Sequence, residues 1–315
     1  MSSEPGGGDK AIKTYDLLIL GGGPAGLTAA IYAGRARVPT RVLSGTMPGG
    51  QPSRTNEVDN YPGFPDGVGG GELARRFTGQ AERFGAEIVP EMATEVDFSE
   101  RPFRIRSARN QYCAEAVIVA TGAVPRRLGI PGEEKFYGRG VSSCATCDGF
   151  FYQDREVVVV GGGDAAIDEA LFLTRFARTV TVVHRRDTLR ATEIYREKAF
   201  ANPKIGFVWD SIVEEVLGDQ TVTGVRVRNL KNGDTAMIKT AGVFVYIGME
   251  PQSDLFVGQL ELDPRGYILS NPRQHTNVPG VFVAGDVQDP NYRQVVVAAG
   301  TGAIAAMEAQ RYLGE

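Results

Sequence analysis

The sequence predicts an α/β fold built from two domains, the second inserted into the first. A strand, glycine-loop, helix, strand outline occurs twice, as "YDLLILGGGPAGLTAAIYAGRARVPTRVLS" at 15–44 and "REVVVVGGGDAAIDEALFLTRFARTVTVVH" at 155–184. A chain of 315 residues is longer than one ordinary core uses. Proline- and glycine-rich joints, "TGAVPRRLGIPG" at 121–132 and "GMEPQS" at 248–253, bracket the second copy. The chain on both sides of those joints then makes one domain, 1–123 with 251–315, and residues 124–250 make the other.

Each copy opens on a continuous leucine- or valine-rich run, the pattern of a strand buried on both faces of a parallel sheet. In the second copy Ile167, Ala170, Leu171 and Thr174 fall at helical spacing and give one face to pack on that sheet. Between the copies, "GELARRFTGQAERFG" at 71–85 reads as a helix, and residues 87–122 read as short strands joined by turns. After the second copy, residues 212–248 carry a hairpin signal at Asn232 and Gly233. The chain closes with "GVFVAGDVQ" at 280–288 and a helix from about Val295 to Leu313.

Composition excludes several classes. The formal charge of −4 argues against the basic footprint of a nucleic-acid binder. The apolar runs are short and broken by glycine, far from the ~20 residues of a spanning helix. The start, "MSSEPGGGDK", lacks the apolar core of a signal peptide and reads as a flexible leader. Three cysteines without an export signal point to a reducing, cytoplasmic setting, where a close pair is reactive rather than structural.

Gly21, Gly23 and Gly26 stand in G-x-G-x-x-G order after a strand and at the start of a helix, with Pro24 and Ala25 inside the motif. Gly21 allows the tight turn, Gly23 the approach of a pyrophosphate, and Gly26 close helix–strand packing. The phosphates would rest on the helix N-terminus, where unpaired N–H groups and the helix dipole favour an anion. The second strand of this copy ends at Ser44, where a ribose-binding acid is expected; how that ribose is held stays open. The second loop repeats the pattern with Gly161, Gly163 and Ala166 around Asp164 and Ala165. Its second strand ends in "HRRDTLR", with Arg185, Arg186 and Arg190 in place of the acid that selects NAD. Guanidinium groups bind a 2′-phosphate by parallel charge-assisted hydrogen bonds, so this site is expected to take NADPH. His184 has two readings, a contact at the adenine end or a satisfied strand-end histidine. The fold is therefore expected to be two Rossmann-like dinucleotide-binding domains. Two such sites on one chain imply electron transfer, with FAD the expected occupant of the first.

"SSCATCDGFF" at 142–151 holds Cys144 and Cys147 two residues apart, a spacing at which a disulfide forms and opens without large movement. A zinc site would need further ligands, and the only histidines are His184 and His275. Asp148 is either the proton-trading acid and base for the thiols or a turn residue before Gly149. Cys113 reads as a packed, inert thiol.

With these features in this order, the chain resembles the bacterial-type, low-molecular-weight thioredoxin reductases from about Tyr15 to Leu313. The motifs that carry the resemblance are "GGGPAG", "PGGQ" at 48–51, "NEVDNYPG" at 56–63, "ATG" at 120–122, "CATCDGFF" at 144–151, "HRRD" at 184–187, "GVFVAGDV" at 280–287 and "YRQ" at 292–294. The resemblance implies FAD contacts from the first loop, from Ser44, Gly49, Gly50, Gln51 and Asn60, and from Asp286, Arg293, Gln294 and Val295. It also implies that Cys147 faces the flavin, that Cys144 attacks the disulfide of thioredoxin, that Asp148 is the acid–base, and that the chain forms a homodimer. The expected reaction is reduction of FAD by NADPH, of the Cys144–Cys147 disulfide by FAD, and of thioredoxin by the dithiol. Departures are Pro52 and Ser53 where Leu-Thr is frequent, "GGGDAAIDEA" in the second loop, "TLR" where Gly-Phe-Arg is frequent, and "GMEP" near the second joint.

Nucleotide loop and dithiol both lie in the inserted segment and must reach one flavin. That segment is expected to rotate on its two joints between two poses. Rivals are a dithiol oxidase, against which the arginine cluster speaks, a ferredoxin-driven reductase and a redox sensor without turnover. A peroxidase-reducing relative carries a long N-terminal region, for which the roughly fifteen residues before the first strand leave no room.

Overall fold

A computed structural model describes residues 13–54, 57, 58 and 60–314. The leader at 1–10, and Asn56 and Asp59 of "NEVDNYPG", lie outside the described residues. The chain divides into two compact units, Met1–Val124 with Pro251–Glu315, and Pro125–Glu250.

The first unit begins with β1 (Lys13–Leu20), α1 (Pro24–Arg35), β2 (Thr40–Leu43) and α2 (Gly70–Arg83). β3 (Glu87–Val89), β4 (Ala93–Asp97), β5 (Phe103–Ser107) and β6 (Gln111–Val119) follow, and β7 (Ala123–Pro125) leads out of the unit. The sheet order is β3-β2-β1-β6-β5-β4, parallel from β3 to β6 and antiparallel beyond. Leu17, Leu18, Ile19 and Leu20 are buried, as a two-sided strand requires, and each contributes about 1.5–3 kcal/mol.

The second unit holds β8 (Val141–Ser142), the one-turn helix α3 (Ala145–Asp148), β9 (Glu156–Gly161), α4 (Asp164–Leu173) and β10 (Thr179–Val183). Then come α5 (Glu193–Ala201), β11 (Ile205–Val208), β12 (Ser211–Gly218), β13 (Val222–Asn229), β14 (Thr235–Lys239) and β15 (Gly242–Tyr246). Five strands form a parallel sheet in the order β11-β10-β9-β15-β8, and β12-β13-β14 form an antiparallel sheet. The face α4 buries is Ala166, Ile167, Ala170 and Leu173. Leu171 is only partly buried, and Thr174 caps the helix rather than lying in it, which moves the packed face one position from its expected place. The β13–β14 turn spans residues 230–234, wider than a two-residue hairpin; Asn229 Oδ1 accepts the Lys231 and Asn232 N–H groups, and Gly233 supplies φ +81°.

β16 (Met249–Pro251) pairs with β7, so the two chain crossings form a ribbon. Back in the first unit, β17 (Val281–Val283) pairs in parallel with the C-terminal half of β6, and α6 (Val295–Gly314) closes the chain. α6 lies tight on α1 because both contacting faces are glycine and alanine: a Cβ on Gly302 would stand 2.1 Å from the Ala25 carbonyl oxygen. No helix among the described residues is long and apolar enough to cross a membrane.

Candidate active site

In the first unit the strand β1 runs straight into the glycine loop. Gly21 turns at φ +122°, where a Cβ would meet the Ala120 carbonyl oxygen at 2.1 Å, and a Cβ on Gly26 would meet that of Gly21 at 1.9 Å. Gly23 differs, since a Cβ there would find only the Gly50 Cα, at 3.8 Å. Gly23 is also the N-cap of α1 and no side chain caps it. Free N–H groups and the positive helix end thus face open space, the arrangement that takes a phosphate.

Two distant segments complete this cradle. Gly49 donates its N–H to the Gly22 carbonyl at 2.9 Å, folding the "PGGQ" turn onto the loop with φ +89° at Gly49 and +67° at Gly50. Gln51 Oε1 is buried there without a partner among the described residues, and a ligand donor would satisfy it. The departure at Pro52–Ser53 is a single 3₁₀ turn in which the Ser53 hydroxyl donates to the Gly50 carbonyl at 2.7 Å, so it braces the turn. Ser44 is buried and its hydroxyl donates to the Val89 carbonyl at 3.0 Å, leaving only its lone pairs for a ribose. From the far end of the chain, a Cβ on Gly285 would stand 2.8 Å from the Ala25 Cβ, which sets neighbouring Asp286 beside the N-terminus of α1. Burial pushes the Asp286 carboxyl up to about 6, with Asp289 adding and Arg293 opposing. Arg293 holds φ +49°, Gln294 Oε1 accepts from Asn60 Nδ2 at 3.1 Å, and Val295 starts α6. An open helix end, glycines that no larger residue could replace and an orphaned amide oxygen fit a dinucleotide.

The second unit repeats the loop with a different rim. A Cβ on Gly161 would lie 2.5 Å from the Tyr246 carbonyl oxygen and 2.7 Å from the Ala166 Cβ, and one on Gly162 would lie 2.4 Å from the His184 ring. Gly163 again is open, with Arg190 nearest at 4.0 Å, and caps α4 without a side-chain bond. The N–H groups of Arg190 and Ala191 both donate to the Gly162 carbonyl, at 2.7 and 3.1 Å, so the arginine segment curls back onto the loop. Asp164 Oδ1 holds its far end through the Thr192 N–H at 2.6 Å, and Ala165 is exposed beside it. Arg185 and Arg186 are exposed and form no ion pair among the described residues, whereas Asp187 pairs with Lys231 at 3.4 Å. His184 is buried, its Nε2 has no partner among the described residues, and burial lowers its pKa against a hydrogen bond to the Thr188 backbone. These residues fit a phosphorylated dinucleotide.

In the same unit the CATC segment forms the one-turn helix α3, with Cys144 and Cys147 joined as a disulfide. Cys147 donates its N–H to Cys144 Sγ at 3.1 Å, and the Cys144 N–H donates to the Ser142 hydroxyl at 3.0 Å. Burial raises the Asp148 pKa, against a hydrogen bond from Ser142, so this carboxyl keeps its proton to higher pH than a free aspartate. Tyr152 is pushed up to about 12 by burial and then by the charge of Asp148, with Arg155 opposing. Directly after the turn, Phe150 and Phe151 are exposed, and Phe150 meets Phe176 edge-on at 6.3 Å. Cys113 is buried and free on β6. Ser142 and Tyr246, whose hydroxyl accepts the Ala145 N–H, escaped sequence reasoning. Tyr246 is 101 residues from its partner, and no local pattern announces such a bond.

The sequence family of pyridine nucleotide-disulphide oxidoreductases matches residues 15–302. The chain belongs to this family. Within it, the chain is 50% identical over 301 residues to a thioredoxin reductase of Streptomyces coelicolor, covering 95% of this chain and 94% of that protein. It is 47% identical over 307 residues to a thioredoxin reductase of Rickettsia conorii, covering 96% and 99%. Among solved structures, the thioredoxin reductase of Streptococcus pyogenes matches at TM-score 0.92 with 42% identity over 96% of this chain and 99% of that one. That of Giardia duodenalis matches at TM-score 0.90, also at 42% identity, over 96% and 100%. The oxidoreductase family pairs a flavin and a nicotinamide nucleotide with a disulfide, and the chain's two Rossmann-like domains, one inserted in the other, agree with that pairing.

Proposed function

We propose that this protein is an NADPH-dependent thioredoxin-disulfide reductase that uses FAD. The observation that carries the reading is the half-buried Cys144–Cys147 disulfide in the same unit as an arginine-rimmed dinucleotide loop. Near 50% identity to thioredoxin reductases supports it over an oxidase or a sensor.

The first loop with Gln51, Asn60, Asp286, Arg293 and Gln294 would hold FAD, and Arg185, Arg186 and Arg190 would hold the 2′-phosphate of NADPH. Bound flavin supplies a two-electron relay between nicotinamide and disulfide. What the chain's own residues add is proton control. Reducing the disulfide with two electrons and one proton leaves one thiolate and one thiol, and the raised Asp148 is suited to hand over and recover that proton. Cys147 would face the flavin and Cys144 would attack the thioredoxin disulfide, forming a mixed disulfide that Cys147 resolves. The exposed Phe150 and Phe151 beside the turn suit a protein substrate better than a small disulfide. The β7–β16 ribbon supports rotation of the inserted segment between poses as part of the cycle. The reading also takes the chain to act as a homodimer in the cytoplasm.

Steady-state NADPH oxidation with and without oxidised thioredoxin tests this. Oxidation that depends on thioredoxin and vanishes in Cys144→Ser is expected; NADPH oxidation indifferent to thioredoxin would overturn the reading.

A further inference from the structure

The turn that carries the dithiol is held from outside by a residue of a different strand. Tyr246 ends β15, and its hydroxyl accepts the N–H of Ala145, the first of the two residues between the cysteines, at 2.5 Å. β15 lies between β9 and β8 in the sheet: Tyr246 pairs with Gly161 on one side, and Phe244 pairs with Ser142 on the other. Ser142 in turn accepts the Cys144 N–H at 3.0 Å. Two hydroxyls on adjacent strands thus fix consecutive N–H groups of the turn. The first N–H groups of any helix lack internal partners, and Ala145 is fully buried, so water cannot stand in for the phenol.

We propose that Tyr246 is a positioning residue for the dithiol: by taking the Ala145 N–H it keeps the Cys147 N–H on Cys144 Sγ and so sets how readily Cys144 attacks. In the opened disulfide Cys144 Sγ bears the charge, and an N–H aimed at a thiolate is a charge-assisted donor of the stronger kind. Without the phenol, the orphaned Ala145 N–H can be satisfied only if the turn rotates, and rotation carries the Cys147 N–H away from the sulfur. The thiolate is then less stabilised and its proportion at neutral pH falls. The titratable and charged groups around the turn are Asp148 on it, Tyr152 with Arg155 after it, and Tyr137, which contacts Ser143 and carries Arg127 stacked on its ring at 3.8 Å. A Tyr246→Phe change leaves all of these in place, and it leaves the Tyr246 carbonyl against Gly161.

The inference rests on Cys144 being the attacking thiol, but its test needs neither thioredoxin nor turnover, so the two can fail separately. In flavin-loaded Cys147→Ser protein, where position 147 keeps its backbone N–H, the rate of Cys144 alkylation by iodoacetamide is followed from pH 5 to 10, with and without Tyr246→Phe. NADP⁺ affinity is measured on both. Tyr246→Phe is expected to move the alkylation midpoint up by about one pH unit, slowing the reaction near neutrality by up to about tenfold, with NADP⁺ affinity unchanged. An unmoved midpoint overturns the proposal. So does a shift accompanied by loss of NADP⁺ affinity, which would mark a general disturbance of the unit rather than a local role.

Discussion

Substituting Gly26 by alanine should dismantle the first dinucleotide cradle, and the structure says by how much. A Cβ at this position would lie 1.9 Å from the Gly21 carbonyl oxygen, 3.0 Å from its carbon and 3.3 Å from Ile19 Cγ2. Ordinary contact begins at 3.4 Å, so backbone on one side must retreat by about 1.5 Å. Both neighbours are fixed, Ile19 in the buried C-terminal half of β1 and Gly21 against Ala120. Overpacking of this kind costs about 1–3 kcal/mol, and each kcal/mol lowers the melting temperature of a unit this size by about 2–4 °C. The larger effect is on the ligand, because the retreat displaces the N–H groups that face the open side of Gly23. The expected result for purified Gly26→Ala is a melting point several degrees lower and a flavin absorbance per chain well below that of the parent. Ala166, at the same position in the second loop, provides the contrast: Ala166→Gly should cost only about 1 kcal/mol from helix propensity and leave NADP⁺ binding intact. A Gly26→Ala protein with full flavin content and unchanged melting would refute the close-packing argument.

Two further perturbations follow from the site's electrostatics. Asp286, with its carboxyl raised to about 6 by burial, costs the flavin-free protein stability as pH rises through that value, and the cost is absent below the pKa of about 4 of an unfolded aspartate. Asp286→Asn should therefore raise the melting temperature of flavin-free protein at pH 7 to 8 and leave it unchanged near pH 3.5; a gain at low pH alone would reverse the sign of the argument. Replacing Arg185 and Arg186 together by alanine removes exposed guanidinium groups that have no ion pair among the described residues. The KM for NADPH should rise about 10- to 100-fold while that for NADH stays within about twofold, and equal losses for both nucleotides would deny these arginines a phosphate.

What could be read in the sequence and what could not divide along a physical line. The continuous apolar runs of β1 and β9 followed by glycine loops are local signals, because burial on both faces and left-handed glycine φ values leave their mark on adjacent residues. α5 left no such mark: only Ala199 of its residues is buried, and Ile194 and Phe200 face solvent, so its apolar residues do not outline a face. The width of the Asn229 turn depended on which residue's side chain would accept the loop N–H groups, a choice that the Asn232–Gly233 pair alone does not fix. The bonds that order the site are long-range, Asn60 to Gln294 and Tyr246 to Ala145, and only the folded sheet brings their partners together. His184 shows the same limit, since its burial and the lack of a partner for its Nε2 among the described residues depend on what the folded unit packs around the ring, Trp209 included.

The proposed reaction requires electrons from NADPH to arrive at the Cys144–Cys147 disulfide. The direct measurement is to add about one equivalent of NADPH to the flavin-loaded protein without oxygen, quench with an alkylating agent in denaturant, and locate the labels by mass. Labels on both Cys144 and Cys147, absent without NADPH, are the predicted result. A flavin that bleaches while both cysteines remain unlabelled would contradict the account.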